Sequence, residues 1–181
     1  MHQSDPEPRL IILRKSMNGE TTEQRALTVA AEYCDEHFLL PPTAIMRTER
    51  GKPYFCGSLN LFFSASHSGD YFGIALHTRP VGMDIQQHRR RPSGITARFF
   101  HPDEQNAIDA GPESVFFDIW VKKESYVKYT GAGIAHGNLS GFSTTDDKIG
   151  DVFLHSFNLL KGYSIAVATE TDRIPELLLR T

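Results

Sequence analysis

Apolar positions recur along this chain with two different periods. Leu10 to Leu13 is an unbroken apolar run and predicts a first strand. Asn18–Gly19 predicts a turn. Thr21 or Thr22 then caps a helix with Glu23 and Gln24 in its first turn. That helix is expected to run to about Phe38, to bury Leu27, Ala30, Ala31 and Cys34, and to end before Pro41–Pro42. Ala44 to Thr48 reads as a weak strand, Arg50 to Pro53 as a loop, and Leu61 to Ala65 as a strand closing in a turn at Ser66-His67-Ser68-Gly69. Tyr71 to His77 and Val81 to Ile85 are expected to form a hairpin about Thr78-Arg79-Pro80.

The second half of the pattern starts after a basic linker, Gln86 to Arg91. Helices are predicted around Ile95 to Phe100, from Pro102, and from Ser114 to Tyr129, the last stopped by Gly131 and Gly133. A pair of strands, Val152 to Asn158 and Tyr163 to Thr169, follows around Leu160-Lys161-Gly162. Each half reads as one main helix with antiparallel strands. The expected fold class is therefore α+β, with two similar halves: residues 1–85, residues 86–181, and a cleft between them.

One helix breaks its own pattern. In Phe116 to Lys128, FFDIWVKKESYVK, a rotation of about 100° per residue gathers Phe116, Ile119, Trp120 and Val127 on one stripe. Lys123 falls inside that stripe. Glu124 and Lys128 stand one turn apart along its edge. They form either a helical ion pair or a metal ligand beside a phosphate clamp.

Composition narrows the function classes. The chain has 181 residues, 40% of them hydrophobic and 23% charged, with a formal net charge of −3. That balance gives no reason to expect nucleic acid as a partner. No apolar run reaches the length of a membrane span. The start, MHQSDPEPRL, lacks the charged-then-apolar design of a secretory signal. Cys34 and Cys56 have no metal-ligand spacing and suit a reducing cytoplasm.

Two further groupings carry candidate chemistry. On a strand, Gly82, Asp84 and Gln86 face away from Val81, Met83 and Ile85. Asp84 and Gln86 then offer two oxygen ligands side by side, and Gly82 admits a close neighbour. The alternative is a solvated edge strand. Ser64-Ala65-Ser66-His67-Ser68-Gly69 offers hydroxyl and backbone donors of the kind that bind phosphate, or else an ordinary polar turn. Glu124 can join Asp84 around magnesium, which often takes only one or two protein carboxylates together with substrate phosphates. There is no P-loop and no dinucleotide glycine fingerprint. A phosphate-bearing cosubstrate held through magnesium uses all three groupings.

These pieces resemble a 4′-phosphopantetheinyl transferase of the Sfp type. The matching residues are Gly51-Lys52-Pro53, Ser66-His67-Ser68-Gly69, Val81-Gly82-Met83-Asp84-Ile85, Arg98-Phe99-Phe100 with Glu104, Trp120-x-x-Lys123-Glu124-Ser125-x-x-Lys128 and Gly131-x-Gly133. The resemblance implies two α+β halves related by pseudo-twofold symmetry, with the active site in the cleft between them. It implies transfer of the phosphopantetheine arm of coenzyme A to a serine of an apo acyl or peptidyl carrier protein, with release of adenosine 3′,5′-bisphosphate. It further implies Mg²⁺ on Asp84, Gln86 and Glu124, and Lys128 on the pyrophosphate. Lys52, Ser66 and His67, and more loosely Arg25, are implied to contact coenzyme A. Glu124 is the implied base, and a monomer is expected because one chain already supplies the whole cleft.

This chain departs from the family pattern at Gln86, where an acid is usual. A protein that binds coenzyme A or a carrier without turnover is the rival expectation. The amino-terminal half is short, with Arg14 and Lys15 the only basic residues near the segment that grips the 3′-phosphate in larger members. Arg89–Arg91 suits an acidic carrier surface, or is a solvated linker.

Overall fold

Leu10, Ile11 and Ile12 are almost completely buried, so the absence of alternation in this run marks a strand covered on both faces. The structure is a computed structural model and describes residues 6–14, 20–58, 60–90, 94–133 and 138–180. The expected turn at Asn18–Gly19, as well as Lys15 and Arg91, lies outside the described residues.

The amino-terminal elements are β1 (Arg9–Arg14), α1 (Thr22–Glu36), β2 (Ala44–Arg47), β3 (Pro53–Cys56), β4 (Phe62–Ser68) and β5 (Tyr71–His77). They are followed by β6 (Val81–Gln87), α2 (Ile95–Phe99), α3 (Pro102–Ala110), α4 (Ser114–Thr130), β7 (Lys148–Ile149), β8 (Val152–Phe157), β9 (Tyr163–Thr169) and β10 (Glu176–Arg180). One four-stranded sheet has the order β10-β1-β5-β4, and a second has β6-β9-β8-β7. β2 and β3 form a separate antiparallel pair.

Alternate residues of β1 divide between two cores. Ile11 packs with Ile74, Leu76, Phe63 and the α1 residues Ala26, Val29, Ala30 and Tyr33. Leu10 and Ile12 pack instead with Val81, Met83, Ile85, Ile165 and Val167 of the second sheet. α4 covers that sheet's other side, where Tyr126 and Tyr129 meet Leu154 and Ala168. The result is an α+β stack of helix, sheet, sheet, helix, and it explains why β6 and β9 are buried on both faces.

Local signals set the helix ends. The Thr21 hydroxyl accepts from the Gln24 amide at 3.1 Å, and the Gln24 side chain accepts from the Thr21 amide at 2.8 Å. This is the expected capping box. Pro102 opens α3 behind a His101 cap. α4 ends at Gly131, whose φ of 71° is the left-handed conformation that glycine tolerates.

Five expectations need correction. Ala31 of α1 is exposed, and Ala26, Val29 and Tyr33 join Ala30 and Cys34 in the core instead. β5 and β6 are not a hairpin: they belong to different sheets, and β6 pairs with β9. Sheet membership therefore changes across residues 78–80 rather than at residue 85. β4 does not end at Ala65. It continues through Ser66 and His67 to Ser68, paired with β5, and the turn begins only at Gly69. The expected loop holds from Arg50 through Lys52, but Pro53 already opens a strand that was not expected, β3. The last strand is β10, which returns to the first sheet and pairs in parallel with β1.

Candidate active site

α4 is positioned by its least expected residue. Lys123 is fully buried, and its ammonium lies 2.6 Å from a Glu104 oxygen on α3, also fully buried. It also donates to the Phe142 carbonyl at 2.7 Å. Glu104 in turn accepts from the His101 amide and from the Thr144 amide and hydroxyl. The lysine inside the apolar stripe is thus a buried polar anchor joining α3, α4 and the 142–144 loop. The aromatic end of the stripe, Phe116, Phe117 and Ile119, packs on Phe100 and Ile108 with Trp120 at the edge.

Gly82 fixes how closely this helix approaches β6. A Cβ there would run into the Ser125 carbonyl and the Tyr129 amide. The close neighbour that Gly82 admits is therefore α4 itself. With the helix backbone laid on the strand, Glu124 and Lys128 come level with Asp84, two residues along the same face of β6.

At the centre lies Asp84, 6% exposed. Its Oδ1 accepts from Lys128 Nζ at 2.7 Å and from the Ser66 hydroxyl at 2.6 Å. Lys128 therefore reaches across to β6, an ion-pair partner that helical spacing alone does not suggest. Glu124 is 5% exposed, and its Oε1 has no hydrogen-bond partner. Burial and the nearby Asp84 charge push its carboxyl up to about 7, against an opposing pull from Lys128.

The serines of β4 face this centre from the first sheet. Ser64 accepts from the Met83 amide at 2.9 Å, and Ser68 accepts from the Gln87 amide at 2.9 Å. Alternate hydroxyls therefore join β4 to β6 across a seam that has no backbone ladder. These bonds reinforce the backbone ladder with β5 that makes the Ser66–Ser68 segment strand rather than loop. Gln86 donates its amide nitrogen to Ser68 at 3.3 Å and to the Gln87 carbonyl at 3.1 Å. His67 points the other way from these serines and is exposed.

Beside the carboxylates lies a cavity of about 300 Å³, lined among others by Lys52, Ala65, Glu124, Lys128, Gly131 and Gly133. Lys52 donates to the Tyr129 carbonyl at the end of α4, at 2.7 Å, and burial pulls its ammonium below the ordinary range. Arg25 is held elsewhere. It donates to the Arg14 carbonyl at 3.1 Å and lines a different cavity with Arg14, Thr28 and Arg180. The structure thus gathers Asp84, Glu124, Lys128, Ser66 and Lys52, ties the Gln86 amide nitrogen to Ser68 and the Gln87 carbonyl, and keeps Arg25 apart.

Sequence reasoning named neither Ser64 nor Ser68 as a seam residue, nor Glu104 as the partner of Lys123. The spacing of three serines at alternate positions was the available signal for the first. A buried-side lysine with an acid in a nearby capping motif was the signal for the second.

A hard divalent cation fits this donor set. Two adjacent buried carboxylates, one with an oxygen that no donor reaches, are what such an ion satisfies. Among the described residues no group of three or more His, Cys, Asp and Glu side chains is gathered for metal binding. The third position on this face of β6 is the amide Gln86.

The sequence model of the 4′-phosphopantetheinyl transferase superfamily matches residues 80–173. The 4′-phosphopantetheinyl transferase psf-1 of Bacillus pumilus is 31% identical over 92% of this chain and 76% of its own length. A 4′-phosphopantetheinyl transferase of Bacillus subtilis is 34% identical over 48% of this chain and 41% of its own length. The 4′-phosphopantetheinyl transferase AcpT of Escherichia coli (strain K12) is 31% identical over 75% of this chain and 70% of its own length. The matched region holds β6, α4 and every carboxylate of the site, and the chain belongs to the 4′-phosphopantetheinyl transferase superfamily.

Proposed function

We propose that this protein transfers the 4′-phosphopantetheine group of coenzyme A to a serine hydroxyl of an apo acyl or peptidyl carrier protein, releasing adenosine 3′,5′-bisphosphate. The observation that carries this reading is the buried Asp84–Glu124 pair with Lys128 between strand and cavity. In this reaction the serine oxygen bonds to the phosphorus that carries the pantetheine arm, and the pyrophosphate P–O bond breaks. The charge leaves on the bisphosphate. The protein's task is therefore positioning and charge neutralisation.

Asp84 and Glu124 would hold Mg²⁺, with the Gln86 amide oxygen as a further neutral donor. When bound, the ion supplies positive charge against the pyrophosphate. Lys128, Lys52 and Arg50 provide further cations around the cavity. Glu124 is the group proposed to accept the serine proton, since its Oε1 is unpartnered and it lines the cavity. Ser66, His67 and Arg25 are assigned to coenzyme A on family resemblance. Ser66 reaches that role only by giving up or sharing its bond to Asp84. We take the protein to act as a cytoplasmic monomer, the halves meeting at the site. Among the described residues no helix is long and apolar enough to cross a membrane.

The test is direct. The protein is incubated with coenzyme A, Mg²⁺ and a panel of apo carrier proteins, and the carriers are weighed by mass spectrometry. A phosphopantetheine mass gain that vanishes in Glu124→Ala is the expected result. Coenzyme A binding with no gain on any carrier would favour a non-catalytic binding protein, the reading that Gln86 suggests.

A further inference from the structure

We propose that Lys128 is the resident counter-ion of Asp84 and keeps a divalent cation out of the site until a pyrophosphate draws the lysine away. Cation and coenzyme A then bind cooperatively rather than independently. The inference rests on the transferase reading above and concerns the order in which its site is filled.

The argument starts from one atom. Asp84 Oδ1 already has two donors, Lys128 Nζ at 2.7 Å and the Ser66 hydroxyl at 2.6 Å. A cation that takes Oδ1 competes with the ammonium for it, and one that takes the other oxygen of the same carboxylate still sits close to Lys128, so the two positive charges repel one another if both stay. The Asp84 side chain is 8% exposed, so the pair is weakly screened on its side, whereas Lys128 is 31% exposed and its flexible stem can swing outward. Lys128 also lines the cavity, so a phosphate there is within its reach.

Charge decides how firmly the guard holds. The pocket contains two carboxylates, and Lys128 neutralises one of them. A third carboxylate on β6 would tilt the balance toward the metal, but residue 86 is Gln and its amide nitrogen is engaged by Ser68 and the Gln87 carbonyl. With Lys52 and Arg50 also lining the cavity, a dication arriving alone meets no net negative charge. A pyrophosphate supplies the missing negative charge and also gives Lys128 another partner. By linkage, whatever coenzyme A adds to cation affinity the cation adds to coenzyme A affinity.

The test uses Mn²⁺ as the probe ion, its binding followed by electron paramagnetic resonance with the full chain, with and without coenzyme A. Lys128→Met keeps the stem and removes the charge. It should bind Mn²⁺ alone roughly tenfold tighter than the wild type, the scale of a partly buried charge pair. Lys128→Arg should stay near the wild type. Coenzyme A should tighten Mn²⁺ binding more in the wild type than in Lys128→Met. Equal or weaker Mn²⁺ binding by a folded Lys128→Met, checked by its melting curve, overturns the guard. If that variant does not fold, Lys128→Gln takes its place with the same expected gain. Wild type that binds no Mn²⁺ even with coenzyme A would overturn the transferase reading too, whereas cooperative binding without a gain in Lys128→Met sinks the guard alone.

Discussion

Replacing Glu124 by Gln keeps the side chain's shape and removes its charge. In the folded protein this carboxyl titrates at about 7 instead of 4.5, because it is buried and faces Asp84. The folded state therefore binds its proton more tightly than the unfolded chain does. Below about pH 4.5 the residue costs nothing in either state. Between 4.5 and 7 the native protein loses stability, and above 7 the full penalty applies. That shift corresponds to about 3 kcal/mol. Glu124 is 5% exposed, so solvent does not screen much of it. For a chain of this size, about 3 kcal/mol amounts to roughly 6–12 °C in melting temperature. In chelator at pH 8, Glu124→Gln should melt higher than the wild type by that amount, and the gap should close near pH 4.5. The same variant should transfer no phosphopantetheine. A stabilising substitution that abolishes activity is the signature of a group held against its own solvation for a functional reason. Equal or lower melting of Glu124→Gln at pH 8 would refute the reasoning.

Two other substitutions probe different parts of the architecture. Glu104→Ala strands the buried Lys123 ammonium together with the His101 and Thr144 amides, and should cost about 3–5 kcal/mol in urea unfolding. Glu104→Leu with Lys123→Met should lose less than the two single changes together, and strict additivity would show that the pair is not coupled. Gln86→Glu should lower the Mg²⁺ concentration needed for half-maximal transfer several-fold, and an unchanged requirement would count against Gln86 as a ligand.

The chemistry of the site was more legible in the sequence than its scaffold. Asp84, Glu124 and Lys128 sit at positions that strand and helix periods assign to definite faces, so their convergence followed once α4 lay on β6. Gly82 announced that close approach, although only the structure shows that the helix backbone is the neighbour. Lys123 looked misplaced because its partner Glu104 belongs to another helix, and helical period carries no information about that. The serines of β4 read as a loop because Ser and Gly favour turns. Pairing with β5 overrides that preference, and hydrogen bonds from β6 reinforce it. β5 and β6 read as a hairpin because a short polar connection usually makes one, yet the chain uses it to cross between sheets. β10 was missed because Glu176 to Arg180 has no alternation, being a short edge strand whose partner is far away in sequence.

That distant pairing has a consequence for how the protein is made. β1 is flanked by β5 on one side and by β10 on the other, with Arg9 opposite Glu176. During synthesis β1 emerges well before β10, so the first sheet waits with an open edge while the second sheet and α4 are completed. The candidate-site carboxylates Asp84 and Glu124 are translated within that interval. Vectorial folding can therefore gather the site before the sheet beneath it is sealed, and a nascent chain held short of residue 176 would present one open edge of β1 to whatever lies nearby.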